Sequence, residues 1–206
     1  MIWLNGYPKD NGASDCMDSS RLAGLMSLVG HPLTPNLSGY FIGTDPIRCP
    51  MEAKASDIDT FSRDQLICLA SGLFAQGKTE ICKVLYYRLL KKKRAPNWKN
   101  DDGTHKLFGG DILLPHDLNH LRLCAGLSIN PIGEFFLKLA IIFNSLFTPM
   151  REQNQLICMC ILAGSDYVEY YKRLTPLWRE ALGDYWCGWR NEPELCELII
   201  KKVELL

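Results

Sequence analysis

Asp15, Asp18 and Arg21 share the stretch DCMDSSR, and Arg63 and Asp64 share FSRD. Two carboxylates held across a cleft can divide the general-acid role from that of nucleophile or base. In glycosidases their separation, about 5 to 10 Å, decides the stereochemical outcome. A neighbouring arginine keeps one carboxylate ionised, or grips a substrate carboxylate or phosphate in a two-pronged contact. The candidate catalytic set is Asp64 and Asp18 as the acid/base pair, Arg63 and Arg21 as orienting cations, and His116 as an auxiliary donor. Helix capping offers a plainer role, because a cap worth about 1 kcal/mol accounts for a single aspartate at each helix start. It leaves unexplained why arginine accompanies aspartate at both.

Other groups point less sharply to chemistry. His116 and His120 stand at i and i+4, the spacing of a zinc-binding pair, with Asp111 and Asp117 nearby. Asp117-Leu118-Asn119 lie between them, so the H-E-x-x-H pattern is absent. Capping and hydrogen bonding are their expected roles, and neither a metal nor another cofactor is expected. A thiol nucleophile at Cys16 with His31 or His116 is disfavoured, since the flanking aspartates raise a thiol's pKa. GASDC is not a G-x-S-x-G elbow, and no strand precedes it.

The run YYRLLKKKRAPNWK (86 to 99) puts Lys91, Lys92, Lys93 and Arg94 at a helix end, where cations complement the dipole. With Tyr86, Tyr87 and Trp98 it is the one stretch suited to phosphate or nucleic acid. Lys plus Arg and Asp plus Glu both number 23, so the chain as a whole has no electrostatic footprint for a polyanion. Nucleic acid is therefore not an expected partner. Tyr167, Tyr170, Tyr171, Trp178, Tyr185, Trp186 and Trp189 could stack sugar rings or a partner's side chains, though aromatics at helical spacing usually belong to a core. Tyr185, Trp186 and Trp189 are too many for one buried stripe, and part of that cluster is expected to form a lip or an interface.

These residues must be positioned by helices. Ser62 and Gln65 read as the N-cap and N3 of a capping box, and Asp18 or Ser19 opens the helix that carries Arg21. Asn130-Pro131, Thr148-Pro149 and Thr175-Pro176 each set a capping residue before proline, and Leu114-Pro115-His116-Asp117 opens another helix. The pattern predicts helices over 18–29, 62–76, 79–94, 116–127, 132–147, 150–164, 166–173, 176–187 and 193–205. No strand is predicted, residues 39–51 being loop or at best an isolated hairpin. Two long irregular segments, 31–60 and 95–115, are candidates for binding loops. The fold expected is one all-α domain over residues 1–206, built of packed antiparallel helical hairpins. QLIC recurs at 65–68 and 155–158. If alternate helices run the same way, the starts bearing Asp18, Arg63/Asp64, His116/Asp117 and Glu152/Asn154 gather on one face.

DSSRLAGLMSLVGHP, followed some forty residues later by FSRDQL, resembles a group of uncharacterised bacterial and prophage-borne proteins. The resemblance covers residues 15–77, and the layout looks like a partial α/α toroid. Toroids of that kind place acidic residues at inner helix starts facing a cleft, and many process glycans. A complete toroid has twelve helices, against nine drawn here.

Nine cysteines, none in a C-x-x-C pair, and several within apolar runs, fit a reducing compartment. The apolar stretch 135–147 is too short to span a bilayer and contains Lys138. With no secretory signal at the start, a soluble cytoplasmic protein without membrane association is expected. The function expected is a small hydrolase or lyase acting on a carbohydrate polymer or cell-wall glycan. The alternative is a non-enzymatic interaction protein of a phage or mobile element, of inhibitor or immunity type, whose partner is another protein.

Overall fold

The computed structural model describes residues 2–9, 19–50, 61–92, 112–147, 153–174 and 193–206. Among these are eight α-helices: α1 (Ser19–Val29), α2 (Arg63–Ala75), α3 (Thr79–Lys92), α4 (Pro115–Cys124), α5 (Pro131–Phe147), α6 (Gln153–Ala163), α7 (Ser165–Leu174) and α8 (Pro193–Glu204). The fold is all-α, and each described helix lies close to its predicted span. The helix predicted over 176–187 falls outside the described residues.

Two small hairpins are present: the first corrects the expectation of a strand-free chain, and the second is an isolated hairpin within residues 39–51, as that stretch allowed. β1 (Ile2–Leu4) pairs antiparallel with β2 (Tyr7–Lys9). Between them Asn5 (φ 47°) and Gly6 (φ 85°) both take the left-handed region, as a two-residue type I′ turn demands. β3 (Phe41–Ile42) pairs with β4 (Asp45–Pro46). It follows a 3₁₀ turn, Leu37–Tyr40, so the stretch predicted as irregular contains two short regular elements between residues 37 and 46. The Tyr7 and Tyr40 rings meet edge to face at 5.4 Å and tie the first hairpin to this turn.

α2 is the central element. Leu66, Ile67, Cys68, Leu69 and Ala70 are all fully buried, so the helix is apolar all round and surrounded by α1, α3, α4 and α6. Its closest neighbour is α1, and glycine sets the approach. A Cβ on Gly24 would lie 2.2 Å from the carbonyl oxygen of Cys68, and one on Gly72 would lie 2.6 Å from the Gly24 Cα. Ser27 Oγ then donates to the Gly72 carbonyl at 2.9 Å. The partners ascend together (Arg21 with Asp64, Gly24 with Cys68, Ser27 with Gly72), so α1 and α2 run parallel. This pair is therefore not an antiparallel hairpin, because the long connection between the two helices returns the chain to the same end. Short turns at Gly77, Gly126 and Gly164, all with positive φ, join α2 to α3, α4 to α5 and α6 to α7.

The buried cysteines act as small hydrophobes. Cys49, Cys68, Cys82, Cys124, Cys158 and Cys160 are free thiols in the core, whereas Cys196 is disulfide-bonded, which departs from a fully reduced chain. Among the described residues no helix is long and apolar enough to cross a membrane.

Candidate functional site

Three helix starts meet at one end of the bundle, and each is held by its own cap. In α2 the Ser62 backbone N–H donates to Gln65 Oε1 at 3.1 Å, the reciprocal half of the predicted capping box, while the Ser62 hydroxyl donates to Asp64 Oδ1. In α4, which opens with Pro115, the Leu114 N–H donates to Asp117 Oδ2 at 2.8 Å. In α1 the Ser20 N–H donates to the Arg48 carbonyl at 2.9 Å, and the Ser19 hydroxyl lies 2.7 Å from the Tyr40 hydroxyl.

Ion pairs link these starts. Arg21 Nη1 of α1 lies 3.0 Å from Asp64 Oδ2 of α2. The next residue along the chain, Arg63, turns the other way and places Nε 3.5 Å from Asp117 Oδ2 of α4. His116 Nε2 lies 3.7 Å from the other oxygen of Asp117. The charges thus alternate from α1 through α2 to α4. Arg21 and Arg63 have side chains 8 % and 6 % exposed and Asp117 is fully buried, whereas Asp64 keeps 24 %. Taking several charges out of water costs free energy that a well-packed apolar core avoids, so packing alone does not call for this network.

Of the predicted site, Arg21, Arg63, Asp64 and His116 are brought together, while Asp15 and Asp18 fall outside the described residues. The network also includes a carboxylate absent from the predicted catalytic set, Asp117, which pairs with Arg63 and caps α4. Its position two residues after Pro115 marked it as a cap, and only the fold could bring Arg63 to it. The starters Glu152 and Asn154 of α6 are likewise outside the description: Glu152 is not described, and for Asn154 only the backbone is.

The two histidines have separate roles. His120 turns into the core, its Nε2 2.8 Å from Ser71 Oγ and 3.5 Å from Cys124 Sγ. Burial, reinforced by the nearby His116, pushes its pKa down to about 3, so the ring is neutral. Ser71 Oγ also donates to the Ile67 carbonyl at 2.8 Å, so the hydroxyl is held between the backbone of α2 and the ring. No group of three or more His, Cys, Asp or Glu among the described residues is arranged to hold a metal ion. Beside the two rings, Asn119, Glu134 and Tyr167 help to line a cavity of about 20 Å³, room for a single water.

The basic run at the end of α3 is described only as far as Lys92. Arg88, within α3, is paired with Asp45 of β4 and donates to Thr44 Oγ1 at 3.1 Å, which ties the helix to the second hairpin. Tyr171 is buried in the core, and Tyr167 and Tyr170 pack against it. Trp178, Tyr185, Trp186 and Trp189 lie outside the described residues.

Compared with family models, with curated proteins and with solved structures, the chain matches none of them.

Proposed function

We propose that this chain is a small hydrolase or lyase acting on a carbohydrate polymer or cell-wall glycan, with Asp64 as its base or nucleophile. One observation carries this: Asp64 is fixed by two donors, Ser62 and Arg21, yet keeps about a quarter of its side chain exposed. Both its oxygens already accept hydrogen bonds, which suits the acceptor half of a two-carboxylate mechanism and not the proton-donating half. The acid role then falls to Asp18, three residues before Arg21, with His116 as the auxiliary donor and Arg21 and Arg63 orienting the carboxylates. Helix starts that converge on a shared charged cluster also suit the resemblance to a partial α/α toroid.

The test is turnover of a glycan panel, including peptidoglycan fragments, followed by mass spectrometry. The parent chain should release products, and Asp64→Asn, shown by circular dichroism to be folded at the assay temperature, should lose at least about a hundredfold in rate. Absence of products from the parent overturns this reading.

A second reading, that of an interaction protein, is favoured by the outer face of α5. Ile132, Phe135 and Phe143 are 62 %, 59 % and 57 % exposed and, with Phe136, follow helical spacing along one side. If the glycan panel is silent, a partner pull-down compared between the parent and Phe135→Glu tests it.

A further inference from the structure

A groove of about 280 Å³ runs between α3, α4 and α5. Its apolar walls come from Leu90 of α3, Leu113 and Leu118 at α4, and Ile132 of α5. Its polar lining comes from Tyr86 and Arg122, which are hydrogen-bonded to each other, and from Asn119 and Asn130, likewise joined. Gly133 closes α5 onto α4 there, since a Cβ in its place would fall 2.3 Å from the Asn119 Cβ.

Every polar group in this lining presents a donor. The Asn119 Oδ1 is turned onto the Asn130 backbone N–H at 2.7 Å, and the Asn130 Oδ1 onto the Ile132 N–H at 3.0 Å. Each amide is left with its nitrogen to offer. Arg122 is braced by the Ser128 carbonyl through Nε, by Ser128 Oγ through Nη2 at 3.3 Å, and by the Tyr86 hydroxyl through Nη1 at 3.4 Å. A guanidinium has five N–H groups, so two remain for a ligand. Among the described residues no carboxylate lines the groove, and Glu134, the acid of the first turn of α5, lines the small cavity beside His116 instead.

We infer that this groove binds a small apolar monocarboxylate, with its alkyl or aryl part between Leu90, Leu118 and Ile132 and its carboxylate on Arg122 and the two asparagine amides. Apolar walls with a few convergent polar groups are the usual form of a small-molecule site, and a groove of about 280 Å³ suits a small ligand. Charge complementarity sets the class. A cation is repelled by the Arg122 guanidinium and a neutral acceptor gains only ordinary hydrogen bonds there, whereas a carboxylate gains charge-assisted ones from a guanidinium already held in place.

The test uses 3-phenylpropionate and its neutral counterpart 3-phenylpropionamide, titrated into the full chain by calorimetry and by amide NMR. Saturable one-to-one binding of the acid is expected, with shifts at Tyr86, Leu118 and Ile132 and an affinity at least tenfold above that of the amide. Arg122→Met should lower the acid's affinity at least tenfold. Ile132→Glu, at an exposed wall position that the fold does not need, should abolish binding, and it decides the matter if Arg122→Met fails to fold. Asp64→Asn should bind as the parent does, which separates this site from the glycan reading. Equal affinity for acid and amide, unaltered binding by Ile132→Glu, or no saturable binding of the acid at millimolar concentration overturns the inference.

Discussion

Arg21 of α1 and Asp64 of α2 form an ion pair at 3.0 Å, and Asp64's chain neighbour Arg63 makes the next pair with Asp117. Removing either carboxylate leaves a buried arginine without one of its partners, but the two losses differ. Asp64 is partly exposed, so water offsets part of the deficit and Asp64→Ala should cost about 1–3 kcal/mol. Asp117 is fully buried and also caps α4, so Asp117→Ala should cost about 3–5 kcal/mol. For a chain of this size that is roughly 6–20 °C in melting temperature. Thermal denaturation of the two variants gives the order, and a larger loss at Asp64 would contradict the network described.

That ion pair depends on a contact further along the same two helices. Gly24 sits one turn beyond Arg21, against the backbone of Cys68, which sits one turn beyond Asp64. Gly24→Ala should force α1 from α2, at a cost of about 1–3 kcal/mol or more, because backbone atoms cannot swing aside as a side chain can. Ser27→Ala, which loses only the hydrogen bond to Gly72, should cost about 1 kcal/mol. Urea unfolding of both variants checks the contrast, and a Gly24→Ala chain as stable as the parent would refute the close crossing.

The helices were legible in the sequence because their start signals are local: Ser62 with Gln65, Asn130 with Pro131, Pro115 with Asp117. The first hairpin was legible too, since Asn5-Gly6 between Trp3-Leu4 and Tyr7 is a strong two-residue turn signal, and an all-helical reading passed over it. The convergence of Arg21, Arg63, Asp64 and His116 follows from helix direction, to which caps give no clue. Nothing local in FSRD says that Arg63 and Asp64 face different helices; that depends on the parallel crossing at Gly24 and Gly72, a long-range contact. The i,i+4 spacing of His116 and His120 places both on one side of α4, and both are buried there, His120 against Ser71 and Cys124.

His120 gives the fold a pH dependence of defined sign. Its pKa is lowered from 6.5 to about 3 in the folded chain, so between those values the unfolded chain holds a proton that the folded chain does not. Stability is fully present above about pH 6.5 and is lost as the pH falls toward 3, by at most about 1.4 kcal/mol per pH unit from this group. His120→Gln, which can still hydrogen-bond Ser71, should reduce that slope by about one proton. Urea unfolding at pH 4, 5, 6 and 7 measures it, and an unchanged slope in the variant would remove His120 as the cause.

The core thiols should react only when the chain opens. Burial pushes the Cys82 thiol up to about 12 and holds those of Cys68, Cys124 and Cys160 above their ordinary value, and the sulfurs of Cys68 and Cys158 lie 3.9 Å apart between α2 and α6. The thiolate is the reactive form, so Cys68, Cys82, Cys124 and Cys160 are protected both by access and by ionisation, and Cys158 by its burial. Iodoacetamide at pH 8 should label Cys68, Cys82, Cys124 and Cys158 at least on the order of a thousandfold more slowly in buffer than in urea, since labelling tracks the small open population. Peptide mapping by mass spectrometry resolves each site. Labelling of Cys68 and Cys158 in buffer at rates near those in urea would show that α2 and α6 do not pack as described.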